Sequence, residues 1–151
     1  IILSGGSGSR MRSATPKQFL NLNGFPLLGY SVKTFQYWGL CKSITIVANE
    51  EYIEETENVL SDILTPRDKI VIGGKTRHES TLNGIDSIGC DENDLIIFHD
   101  AARPFISNKE LDGVCNAALE FGSSTLAEPI QETIVKAEEN RVNAILDRTS
   151  T

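Results

Sequence analysis

Cysteine is scarce. The 151 residues hold three, Cys41, Cys90 and Cys115, odd in number and never in a CxxC pair. A disulfide scaffold has no basis here, and idle thiols of this kind suit a reducing cytoplasm, the expected location. No apolar run approaches the roughly 18 residues that would cross a bilayer, so no membrane association is expected. No signal-peptide pattern stands at the start, and the missing initiator Met points to a trimmed beginning. Positive charge is in deficit as well: 14 Lys and Arg face 21 Asp and Glu, a net charge of -7. That balance argues against a nucleic-acid partner, which calls for a basic face. An anionic ligand would instead have to meet a local positive pocket in a negative protein.

What is present reads as one soluble globular domain, 40% hydrophobic and 23% charged. Short β-branched runs at 1–3 ("IIL"), 43–48 ("SITIVA"), 69–72 ("KIVI") and 95–98 ("LIIF") read as buried strands. Between them, 27–38, 51–64 and 77–88 carry apolar residues at helical spacing. A further helix should start after Ser107, where "SNKE" supplies a capping box with Glu110, and stop near Gly122. Such alternation predicts an α/β fold with a largely parallel sheet and helices on both faces. The last third differs: β-prone runs at 132–136 and 141–146 flank a polar "AEEN" turn, the pattern of a hairpin. Two short strands are marginal alone, so this arm, about 130–148, should pack on something outside the main sheet. The chain stops at Thr151 without a closing helix, and the domain is expected to continue beyond it.

Ligands of open α/β sheets bind beyond the carboxyl ends of the strands, and three unusual segments fall there. "LSGGSGSRMRSATPKQF" follows the first strand. It is no P-loop, because no lysine follows its glycines, and Gly6 and Gly8 match only part of a dinucleotide fingerprint, with Met11 at the third glycine position. What remains is a loop whose exposed N–H groups can approach phosphate oxygens, followed by Arg10 and Lys17; the alternative is a solvated loop with incidental cations. "GGKTRHES" offers two glycines for close backbone approach, then Arg77 and Ser80 at a helix start. "HDAARPF" sets Asp100 at a strand end, where a carboxylate can hold Mg²⁺ together with waters and phosphate oxygens, with Arg103 three residues on. The alternative is an Asp–Arg pair closing the loop. His99 is read as structural.

These four segments, "GGSGSRMRSATPKQF", "GGKTRHES", "HDAARPF" and "ETIVK…LDR", resemble in order the motifs of the 2-C-methyl-D-erythritol 4-phosphate cytidylyltransferase family, with the related ribitol-5-phosphate cytidylyltransferases as the alternative. The resemblance implies a Rossmann-like nucleotidyltransferase fold and a homodimer joined by the β-arm. It implies transfer of CMP from CTP to a polyol phosphate, with release of pyrophosphate and help from Mg²⁺. By match of motif, Arg10 and Lys17 would stabilise the transition state. Ser4, Gly5, Gly6 and Gly8 would cradle the nucleotide, with Gly74, Arg77 and Ser80 around the cytidine. Asp100 would bind the metal, and it, Arg103, Thr133 and Arg148 would meet the acceptor, the last two from the neighbouring subunit's arm. Glu132 stands where the family usually has an aspartate, and "LSGG" replaces its alanine-rich opening. A non-catalytic nucleotide-binding module is the remaining alternative. The chemistry accounts for the opening loop: two polyanions must be brought together, so positioning and charge stabilisation are what the protein supplies.

Overall fold

The computed structural model describes residues 1–6 and 15–147. Gly8, Arg10 and Arg148 therefore lie outside the described residues. A four-stranded parallel sheet in the order β5-β4-β1-β6 forms the centre. Its strands are β1 (Ile2–Ser4), β4 (Thr45–Ala48), β5 (Lys69–Ile72) and β6 (His99–Asp100). A small hairpin, β2 (Asn21–Leu22) with β3 (Phe25–Pro26), follows β1 in the chain and leads into the first helix. The helices are α1 (Leu27–Trp38), α2 (Ile53–Leu60), α3 (Arg77–Ser87) and α4 (Asn108–Phe121).

Register explains the two-sided packing. Ile2, Ile46 and Ile70 are neighbours across β1, β4 and β5, so their side chains share one face. That face joins Leu28, Val32 and Phe35 of α1, Leu60 of α2 and Leu111 of α4 in a single core cluster. The next row, Leu3, Val47 and Val71, points the other way. There α3 lies close: a Cβ on Gly84 would come within 3.0 Å of Val47 and 2.9 Å of Ile1. Right-handed crossovers put α1 and α2 on one face while the chain steps outward from β1 to β5, and α3 on the other as it returns to β6.

Helix ends follow local chemistry. Gly39 (φ 76°) and Gly122 (φ 86°) close α1 and α4 in the left-handed region. The Ser107–Glu110 box caps α4 as expected, and a second box, Thr76 with Glu79, caps α3.

Three expected elements are revised. Residues 95–98 are not a strand, because β1 begins at Ile2 and gives its first partner to His99; the Ile97 carbonyl accepts from the amino group of Ile1, at 2.8 Å. Asp100 is thus part of the edge strand rather than beyond it. The stretch 51–64 divides into a 3-10 turn, Glu50–Tyr52, capped by Asn49, then α2, then a turn in which Ile63 and Leu64 both donate to Leu60. The late hairpin pairs β7 (Val135–Glu138) with β8 (Arg141–Ile145), three residues later in its first strand than the β-prone run suggests. Its turn is the tight pair Glu139–Asn140, both at positive φ (49° and 62°). The hairpin forms a two-stranded sheet separate from the central one, and every residue of both strands is exposed.

Candidate active site

Parallel strands put their carboxyl ends at one edge, and the loops leaving β1, β5 and β6 meet there. A Cβ on Gly5 would stand 3.9 Å from the Ser80 hydroxyl, which brings the first loop against the start of α3. Gly6 has no described atom within 4 Å of where its Cβ would be. Neither glycine has a positive φ, so neither the backbone nor the described packing demands glycine at these positions. Open space beside glycine backbone at a strand end is the shape a polyphosphate fits.

The β5–α3 loop is rigid for a visible reason. Gly73 donates to the Ala48 carbonyl at 2.8 Å, and a Cβ there would sit 2.8 Å from the Ser80 oxygen. A Cβ on Gly74 would sit 2.2 Å from that of Glu79, so only glycine fits. The Gly74 N–H donates to Ser80 Oγ at 3.1 Å, folding the loop back on its own helix start. Arg77 leaves the first turn of α3 and reaches across to β6.

There its Nη1 lies 2.6 Å from Asp100 Oδ1, while Arg103 Nε lies 3.1 Å from Oδ2. One carboxylate thus gathers two guanidinium groups from two loops. The 100–104 turn is held from beneath. Ser31 of α1 donates to the Ala101 carbonyl at 2.8 Å, and the Arg103 N–H closes on the Asp100 carbonyl at 3.0 Å. His99 Nε2 stands 2.9 Å from the Arg103 carbonyl, and the ring packs edge-on against Phe35. Burial lowers the His99 pKa, so the neutral ring donates that hydrogen bond at pH 7. Its role is structural, as expected.

Lys17 is exposed at the head of a 3-10 turn, Lys17–Phe19, whose Phe19 enters the core. Ser4 differs from the expectation of a loop contact: it ends β1, is 2% exposed, and its hydroxyl has no partner among the described residues. Thr133 stands on the exposed segment ahead of β7, outside this cluster. Sequence reasoning missed Ser31 and Gln18. Nothing in the spacing marks the former. The latter stood inside the motif, beside Lys17.

A family model described as 2-C-methyl-D-erythritol 4-phosphate cytidylyltransferase matches residues 1–151. The chain belongs to that family. A cytidylyltransferase of that name from Leptospira borgpetersenii is 43% identical over 98% of this chain and 63% of its own length. One from Halalkalibacterium halodurans is 34% identical over 98% of this chain and 64% of its own. The solved 4-diphosphocytidyl-2C-methyl-D-erythritol synthase of Anaerococcus prevotii shares the fold, with a TM-score of 0.76 at 20% identity over 98% of this chain and 63% of that one. The chain thus spans just under two thirds of these cytidylyltransferases. The family fold, a parallel sheet with a separate antiparallel hairpin, is the one described above. Among the described residues no helix is long and apolar enough to cross a membrane, and no three His, Cys, Asp or Glu gather to hold a metal.

Proposed function

We propose that this chain carries the nucleotide site of an enzyme that transfers CMP from CTP to 2-C-methyl-D-erythritol 4-phosphate. The acceptor's phosphate oxygen attacks the α-phosphorus of CTP in line, the bond to the β-phosphate oxygen breaks, and pyrophosphate leaves with those electrons. The observation that carries the reading is the Arg77–Asp100–Arg103 cluster, set beside a bare glycine loop at one sheet edge. The acceptor follows from the names of the relatives.

In this reading the N–H groups at Gly5 and Gly6 face the triphosphate, and Lys17 meets charge that grows on the α-phosphoryl oxygens. Arg10 joins Lys17, offering a planar fork of donors where the lysine offers a point charge. Gly74, Arg77 and Ser80 border the cytidine, and Arg103 turns to the acceptor. The exposed hairpin joins two subunits and carries Thr133 and Arg148 to the neighbour's acceptor.

Mg²⁺ is the cofactor this reading needs, and when bound it neutralises part of the triphosphate charge. The donor set suits it: Mg²⁺ takes one or two carboxylates and fills its shell with phosphate oxygens and waters. Asp100 would hold it, exchanging its guanidinium partners for the metal.

The test is pyrophosphate release by the complete chain with CTP and Mg²⁺, with 2-C-methyl-D-erythritol 4-phosphate, ribitol 5-phosphate or no acceptor. Release that depends on the erythritol phosphate is expected. Release with ribitol 5-phosphate alone, or with neither, overturns the assignment.

A further inference from the structure

Gln18 is 4% exposed, yet it belongs to the same 3-10 turn as the exposed Lys17. Its side-chain nitrogen donates to two carbonyl oxygens, those of Ser4 and Gly6, each at 3.0 Å. One amide therefore grips the glycine loop at two points either side of Gly5. The turn that carries it is anchored in turn: Phe19 donates to Pro16 at 3.0 Å, Leu20 to Lys17 at 3.1 Å, and the Phe19 ring sits in the core.

Peptide geometry gives this grip a direction. In a planar trans peptide the C=O and N–H point opposite ways. Drawing the Ser4 carbonyl toward Gln18 turns the Gly5 N–H away from Gln18. The two carbonyls, which would repel a triphosphate, are at the same time occupied by a donor and held off the ligand's side. Loop and lysine are also tied together, because Gln18 fixes the turn that Lys17 heads to the strand that the glycines leave.

We propose that Gln18 is a positioning residue for the triphosphate: it orients the Gly5–Gly6 backbone as an anion cradle and sets Lys17 in register with it. It touches neither substrate nor reacting atoms itself. The inference rests on the cytidylyl-transfer reading of the site.

The test compares the complete parent chain with Gln18→Met and Gln18→Glu. Methionine keeps the buried length and removes the donor; glutamate adds a carboxylate facing two carbonyls. For Gln18→Met, the KM for CTP should rise about tenfold or more, the expected scale for two lost neutral hydrogen bonds, while the KM for the acceptor phosphate stays near the parent's. For Gln18→Glu, CTP binding measured relative to the parent should recover as pH falls, because a protonated carboxyl regains one donor. If Gln18→Met does not fold, the pH recovery of Gln18→Glu decides. Parent-like KM for CTP in Gln18→Met, or equal losses for both substrates, or no pH recovery in Gln18→Glu, overturns the positioning role. A parent that neither binds nor turns over CTP overturns the functional reading instead.

Discussion

At the scale of single residues, charge is placed where burial cannot cancel it. Lys17 is exposed on a turn whose next two side chains are buried, so the backbone is anchored while the side chain stays in solvent. Lys17→Ala should lower turnover by about 10²-fold or more, the scale of one lost oxyanion donor, with an unchanged melting temperature. Near-parent turnover would remove the lysine from the chemistry. His99 gives a pH signature of a different kind. Desolvation lowers its pKa, outweighing the bond to Arg103 and the nearby Asp100 charge, both of which raise it. The unfolded chain therefore takes up a proton first as pH falls. Stability from this residue is complete above the ordinary value of 6.5 and is lost as pH drops from there toward the lowered native value. Melting temperatures of the parent should fall below pH 6.5 more steeply than those of His99→Gln; parallel curves would contradict this.

At the scale of elements, capping and close approach decide what can change. Gly84 lets α3 lie on Val47 and Ile1, whose β-branched Cγ2 methyl groups would stand 3.0 and 2.9 Å from an added Cβ. Gly84→Ala should push α3 off the sheet and cost about 1–3 kcal/mol, the usual range for overpacking. Denaturant titration measures the loss, and CTP affinity should drop with it, since Arg77 and Ser80 ride on the same helix. The elements also show what the sequence made legible. Helices whose ends are written locally, such as Leu27–Trp38 between Pro26 and Gly39 and Asn108–Phe121 between Ser107 and Gly122, are readable to the residue. The strand at His99–Asp100 is not, because a strand is defined by its partner, and nothing in "LIIF" says that β1 pairs only with the two residues after it. The Asn23–Gly24 turn of β2–β3 was legible and overlooked: an Asn-Gly pair with both φ positive is a strong hairpin signal. The three site loops could be found from composition, but the grip of Gln18 could not. Its partners are main-chain oxygens, which leave no mark on residue identity.

At the scale of the whole molecule, the late hairpin sets the terms. Val142 and Ile145 of β8 are 63% and 73% exposed, and among the described residues that strand pairs only with β7. A ladder this short does not persist alone in water, so a second copy of the chain should cover it, with two-fold symmetry burying both arms. Sedimentation of the complete protein should give a dimer, and Val142→Glu combined with Ile145→Glu should give monomers with little turnover. A parent that sediments as a monomer, or a double variant that remains a dimer, would refute the joint.

The place of β6 in the sheet has a consequence for the order of assembly. β1, β4 and β5 stand side by side in their chain order, but the chain must return across β4 and β1 before β6 can lie beside β1, pairing His99 with Ile2. Of the pairings in the sheet, that of β1 with β6 joins residues farthest apart in sequence, which favours a late step. Asp100 travels on that strand. The carboxylate that draws Arg77 and Arg103 together thus arrives only when the rest of the sheet is in place. A partly folded copy, as it leaves the ribosome or emerges from a chaperone, has its glycine loop but not its acidic counterpart. The Arg77–Asp100–Arg103 cluster is thus expected among the last features of the sheet to form.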